Sequence, residues 1–85
     1  MLEVKVTQEH INRGIRANTN QCPIALALRD IFQIKSPKYR DISVDSYTIK
    51  VYRVYFSITK RAKTFMNKFD QNQEVKPITF RFTEL

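Results

Sequence analysis

Glycine lets a backbone enter left-handed conformations and lets two segments touch, and this chain has it once in 85 residues, at Gly14. With only three prolines besides, the connections should be short. A glycine-rich phosphate loop is excluded. Gly14 itself should sit where a side chain would strain, either at a left-handed helix cap or in a tight helix contact. Its neighbours are equally rare. The one histidine, His10, and the one cysteine, Cys22, punctuate the same stretch, T-Q-E-H-I-N-R-G-I-R-A-N-T-N-Q-C-P-I-A-L-A-L-R-D.

Apolar spacing orders the rest of the chain. Leu2, Val4 and Val6 alternate with polar residues, which predicts a strand with one buried face. Thr7 can cap a short helix, with Glu9 near its positive end and Ile11 and Ile15 on one face. Asn18 to Gln21 read as a polar loop, and Pro23 suits the first turn of a second helix. Ile24, Ala27, Leu28 and Ile31 fall on one helical face, with Phe32 beside them, so that face should be core. The small Ala25 and Ala27 allow close approach to a sheet. Pro37 ends the region.

Residues 40–58 are strand-rich. Ile42 and Val44 alternate, Asp45-Ser46 offers a tight turn, and Ile49 and Val51 continue on one face. Val54, Phe56 and Ile58 have the opposite parity, so a bulge or a break near Tyr52-Arg53 must restore a single buried face. Ile58, Ala62, Phe65, Met66 and Phe69 mark an amphipathic helix over roughly 58–69. After a turn at 70–73, Ile78, Phe80 and Phe82 alternate in a last strand, which Pro77 opens. The expected order is β-α-α-β-β-α-β. It forms one small α+β domain over 1–85, a four-stranded, mainly antiparallel sheet with helices on one face.

Charge is the second constraint. The net charge is +7, and residues 13–63 carry eleven basic against three acidic side chains. A domain this small with that imbalance attracts polyanions or an acidic protein surface, unless the charge serves only solubility. No apolar run is long enough to span a membrane. The start M-L-E-V-K-V lacks the apolar block of a signal peptide. One cysteine makes no internal disulfide, so a reducing, cytoplasmic setting is expected.

Catalytic chemistry has little to stand on. His10 and Cys22 could meet across a loop, and a helix start can lower a thiol pKa. Yet Cys22 before Pro23 reads better as a small side chain anchoring the loop, and His10 as a helix-face residue. One His and one Cys fall short of a zinc site, and Asp41 with Asp45 reads as a solvated pair. Neither an enzymatic site nor a cofactor nor a metal is expected.

The binding candidates lie in the centre. Lys38, Tyr39 and Arg40 are contiguous, and Tyr47, Lys50, Tyr52, Arg53 and Tyr55 interleave rings with cations along the strands. If Ile49 and Val51 face the core, Thr48, Lys50 and Tyr52 should project outward together, so that Tyr52 stacks a base while Lys50 holds a phosphate. Lys60, Arg61 and Lys63 crowd the start of the third helix, where the dipole disfavours cations by about 0.3–1 kcal/mol each. The expected patch is Lys38, Arg40, Lys50, Tyr52, Arg53, Lys60, Arg61 and Lys63.

The stretch H-I-x-x-G followed by C-P-I-A-L-A-L resembles the opening of a group of small bacteriophage and mobile-element proteins. The closing F-M-N-K-F-D-Q-N-Q-E-V-K-P-I-T-F-R-F is similar to their ending, F-x-x-x-F-D, then V-x-P and an alternating strand. Where that family has glycine after F-D-x, this chain has Asn72, which also tolerates turn conformations. The family has no established activity, so the resemblance implies a phage-type origin and a host-cell setting and transfers no site residue. Together these readings predict a small non-enzymatic protein that binds nucleic acid or a nucleic-acid-handling complex through its basic centre. The alternative is an inhibitor docking on an acidic surface of a host or defence protein. Edge strands and tyrosines could also pair two copies.

Overall fold

The computed structural model describes residues 2–33, 41–45 and 47–85. It is an α+β domain with the order β1 (Leu2–Val6), α1 (Gln8–Arg13), α2 (Pro23–Ile31), β2 (Ile42–Val44), β3 (Thr48–Val51), β4 (Val54–Ser57), α3 (Lys60–Asp70) and β5 (Ile78–Phe82). The strands form two antiparallel sheets, β1-β5 and β2-β3-β4, in place of the expected single sheet of four. The extra strand comes from the parity switch at Tyr52-Arg53. The chain breaks and reverses there, pairing Val51 with Val54, so both parities share one buried face. Tyr52 enters this turn with a φ of 55°. That left-handed backbone normally suits glycine, and a bulky residue adopts it at a cost of about 1–2 kcal/mol.

The two sheets are joined by the C-terminal residues. Past β5, Ser57 donates its amide to the Thr83 carbonyl at 2.8 Å and Leu85 donates to the Tyr55 carbonyl at 2.9 Å. Residues 83–85 thus cover the outer edge of β4. The polar loop before α2 covers the other edge. Val44 N–H donates to the Thr19 carbonyl at 2.8 Å, and the Asn20 amide donates to the Ile42 carbonyl at 2.8 Å. Among the described residues both edges of this three-stranded sheet thus carry hydrogen bonds to flanking chain.

Each sheet buries one face. Val4 and Val6 of β1 and Phe80 and Phe82 of β5 lie in the core with Ile42, Val44, Ile49, Val51 and Phe56 of the second sheet. Helix α2 packs against both β1 and β2 through Ile24, Ala27 and Leu28. Helix α3 meets β5 where the Phe65 ring stands edge-on to Phe80, with centroids 5.5 Å apart. Each fully buried Leu, Ile or Phe contributes roughly 1.5–3 kcal/mol, which is what orders a chain this short. Four residues placed on a buried face by periodicity are exposed: Ile15 at 47%, Ile31 at 42%, Val54 at 40% and Phe32 at 38%. Ile31 is the last residue of α2 and Phe32 follows it, Ile15 lies beyond the end of α1, and Val54 opens β4 at the hairpin turn. Ala25 is buried instead.

Gly14 is explained by contact. Its φ is −66° and ψ 148°, open to any residue, but a Cβ there would lie 2.7 Å from both Cδ and Cγ of Pro23. The end of α1 and the start of α2 touch where only glycine fits. Among the described residues the left-handed positions fall instead on Ala17, Gln33, Tyr52 and Asn72, with φ of 54–61°. Arg16 donates to the Asn72 side chain and stacks on Phe69 with its guanidinium carbon 5.8 Å from the ring centroid. The Ala17 amide donates to Asp70 at 2.9 Å. The loop after α1 and the end of α3 therefore meet in space.

Candidate functional site

The rare residues are all engaged internally. Thr7 caps α1 and accepts from the His10 amide at 3.4 Å, while His10 Nδ1 accepts from the Thr7 amide at 3.0 Å. These two bonds make a reciprocal capping box with histidine in the place usually taken by Glu or Gln. With Nδ1 accepting, the ring proton sits on Nε2, which meets Asp30 Oδ2 at 2.5 Å and ties α1 to α2. Both ring nitrogens are committed, so His10 has nothing to offer Cys22. The thiol itself is 4% exposed. Burial lifts its pKa from 9.0 to about 11, against the opposing pull of the Ala25 and Ile24 amides at the helix start. Desolvation overrides the helix-start effect that would have activated it, and Cys22 is a packed side chain at neutral pH. Among the described residues no three His, Cys, Asp or Glu side chains gather to hold a metal ion. No helix among them is long and apolar enough to cross a membrane.

The basic centre is different. In β2-β4 the buried row Val44, Ile49 and Phe56 alternates with an outward row in which Ser43 pairs with Lys50 and Lys50 with Tyr55. Lys50 does face out as expected, but the ring beside it is Tyr55, not Tyr52. The ammonium lies 5.9 Å from the Tyr55 ring centroid, and Tyr55 is 46% exposed. Tyr52 sits in the hairpin turn with Arg53 after it. The two residues occupy the end of β3 away from α3, so they do not share the Lys50 row.

The opposite end of β3 carries another pair. Asp45 Oδ1 accepts the amides of Tyr47 and Thr48, each at 2.7 Å, which closes the β2-β3 turn and holds Tyr47 out at 80% exposure. Lys63 of α3 reaches over this ring, its ammonium 5.8 Å from the centroid. Thr59 caps α3, accepting from the Ala62 amide at 3.2 Å, and Lys60, Arg61 and Lys63 follow with no acidic residue in the first turn. Lys60 and Arg61 do not join the tyrosines. They line a groove of about 650 Å³ between α3 and residues 74–78.

The expected patch therefore divides into three places: Lys50 in the middle of an open sheet face, Tyr52 and Arg53 in one turn, and Lys60, Arg61 and Lys63 on the first turns of α3. Lys38 and Arg40 lie outside the described residues. The expected patch omits Tyr47 and Tyr55, although both belong to the run of rings and cations legible in the sequence. Strand alternation with the correct hairpin register would have found Tyr55 opposite Lys50, and no local signal links Tyr47 to Lys63.

No protein-family model matches the chain, and no curated protein or solved structure matches it either.

Proposed function

We propose that the chain is a small, non-enzymatic phage-type binding protein that holds single-stranded nucleic acid against the open face of β2-β4. The observation that carries this reading is the repeated pairing of an exposed tyrosine with a cation: Tyr55 with Lys50 and Tyr47 with Lys63. Tyr52 and Arg53 add a third ring and cation at the turn. A base stacks on any aromatic face, and each stack contributes about 1–3 kcal/mol, while the neighbouring ammonium meets the phosphate. The face suits the task in one more way. Its outward row holds Ser43, Thr48 and Ser57 besides Lys50 and Tyr55 and no carboxylate among the paired strand residues, and the Asp45 carboxylate at the turn accepts the Tyr47 and Thr48 amides.

Anisotropy of a labelled oligothymidylate at low salt tests the reading. Binding should weaken steeply as salt rises, with a log-log slope of about −2 for roughly three phosphate contacts. Lys50→Glu with Tyr55→Ala should abolish most of it. No binding to any single-stranded DNA or RNA at low salt would sink this reading. The second one, an inhibitor docking on an acidic surface of a host or defence protein, would then take its place.

A further inference from the structure

The groove between α3 and the chain that leads into β5 has a different chemistry from the tyrosine face. On the helix side Lys60, Thr64 and Lys68 follow one another at i, i+4 and i+8, a polar rim about 12 Å long. Arg61 and Phe65 form the parallel row one residue on. The other wall is Glu74 to Ile78. Phe65, Val75 and Ile78 make an apolar floor, and four cations, Lys60, Arg61, Lys68 and Lys76, stand around it against the single carboxylate of Glu74. The groove therefore carries a local charge of +3. The ion pairs among the described residues lie elsewhere, at His10–Asp30, Glu9–Arg13 and Glu3–Arg81. Among the described residues none of the four groove cations has an anionic partner.

From this geometry we infer that the α3-β5 groove is a docking site for an acidic peptide segment of a partner protein, one that places an apolar side chain on the Phe65–Val75–Ile78 floor and carboxylates against the lysine and arginine rims. Three observations select this occupant. The charge is complementary to acidic residues on both sides of the groove. The floor offers aliphatic surface and a Phe65 that is only 7% exposed, so there is no open ring on which a base could stack, in contrast to Tyr47 and Tyr55. And the backbone of Glu74, Val75 and Lys76 makes no hydrogen bond among the described residues: the turn ends with the Gln73 amide on the Lys68 carbonyl at 2.8 Å, and β5 starts at Ile78. An extended peptide can use those free amides and carbonyls in the manner of strand addition. A free small-molecule acid would use the charges and leave the backbone groups idle. This inference stands independently of the oligonucleotide reading, because it uses none of the tyrosine–cation pairs.

The test is anisotropy of a short labelled peptide in which leucine and phenylalanine alternate with glutamate, beside the same peptide with serine in place of the apolar residues, and oligothymidylate. The apolar acidic peptide should bind. The serine version should bind at least about tenfold more weakly, and Lys68→Glu with Lys76→Glu should weaken the first peptide by a similar factor. Lys50→Glu with Tyr55→Ala should leave peptide affinity unchanged, which separates failure of this site from failure of the sheet face. All four substituted side chains lie away from the buried core, and amide shifts of Val75 and Ile78 on peptide addition report the site in the unaltered protein. The inference is overturned if the peptide does not bind, if the serine version binds equally well, or if the groove charge reversals weaken oligothymidylate and spare the peptide. The last result would make the groove part of a nucleic-acid track.

Discussion

The α1-α2 junction and the β2-β4/α3 region use their unusual residues in opposite ways. At the junction every rare side chain is spent inward: Gly14 on Pro23, His10 on Thr7 and Asp30, Cys22 in the core. In the second region the tyrosines face outward, two of them beside a lysine ammonium, and their rings stay open to solvent. The difference teaches that rarity in a sequence marks a constraint without saying whether the constraint is packing or binding. A buried histidine with both nitrogens bonded and a buried thiol with a raised pKa are answers to packing. A lysine beside a half-exposed ring has no such internal reason.

That contrast can be broken at several points. The largest effect on stability should come from Gly14→Ala. The new Cβ meets the Pro23 ring, which is rigid, so α1 must shift, at a cost of about 1–3 kcal/mol. The entropy gained from replacing glycine offsets only about 0.4–1 kcal/mol of that. Urea denaturation should show the loss, while the folded protein keeps its oligonucleotide affinity. An unchanged midpoint would mean that the junction is not tightly packed.

Cys22 gives a pH signature of comparable size. Its folded pKa of about 11 lies above the unfolded value near 9.0, so the unfolded chain loses its proton first. The stabilisation is complete below pH 9 and is lost as pH rises toward 11, by an amount on the order of 2 kcal/mol. Lysines and tyrosines titrate in the same window, so the readout is the difference between the wild type and Cys22→Ala, whose stability should fall less steeply. Parallel pH profiles would contradict the buried-thiol account, as would rapid alkylation of the native thiol at pH 8.

His10→Ala removes the capping box and the link to Asp30 and should cost about 1–2 kcal/mol in thermal denaturation. Asp30→Asn should cost less, since that carboxylate is 66% exposed and a solvated ion pair contributes little. A larger effect from Asp30 would shift the weight of the contact from the cap to the ion pair.

The smallest effect on stability is expected for Tyr52→Gly. Relief of the left-handed tyrosine, about 1–2 kcal/mol, is nearly balanced by the added freedom of the unfolded chain, about 0.5–1 kcal/mol. The fold should hold or gain slightly while oligonucleotide binding weakens, which would mean that tyrosine is kept at a glycine position for its contacts.

Much of the fold is legible in the sequence where one pattern dominates. β1 and β5 follow from strict alternation, the Thr7 cap from its place before the first helical turn, and α3 from its apolar stripe, although the helix begins at Lys60 because Thr59 caps it and Ile58 stays outside. The parity switch at Tyr52-Arg53 announces a break, but alternation cannot say whether the chain bulges or reverses, and the reversal is what puts Tyr55 beside Lys50. Ile31 satisfies helical periodicity and still lies half in solvent, because periodicity assigns a face and not the length over which a neighbour covers it. The groove was illegible for a simpler reason. One wall is residues 74–78, a segment with no periodic pattern, and its meeting with α3 is purely tertiary.

The most direct measurement is a backbone amide shift map of the protein titrated with oligothymidylate at low salt. The account predicts that shifts concentrate on Ser43, Tyr47 to Lys50, Tyr52 to Ser57 and Lys63, with residues 8–31 silent. Shifts centred on His10, Gly14 and Cys22, or no shifts at saturating oligonucleotide, would contradict it.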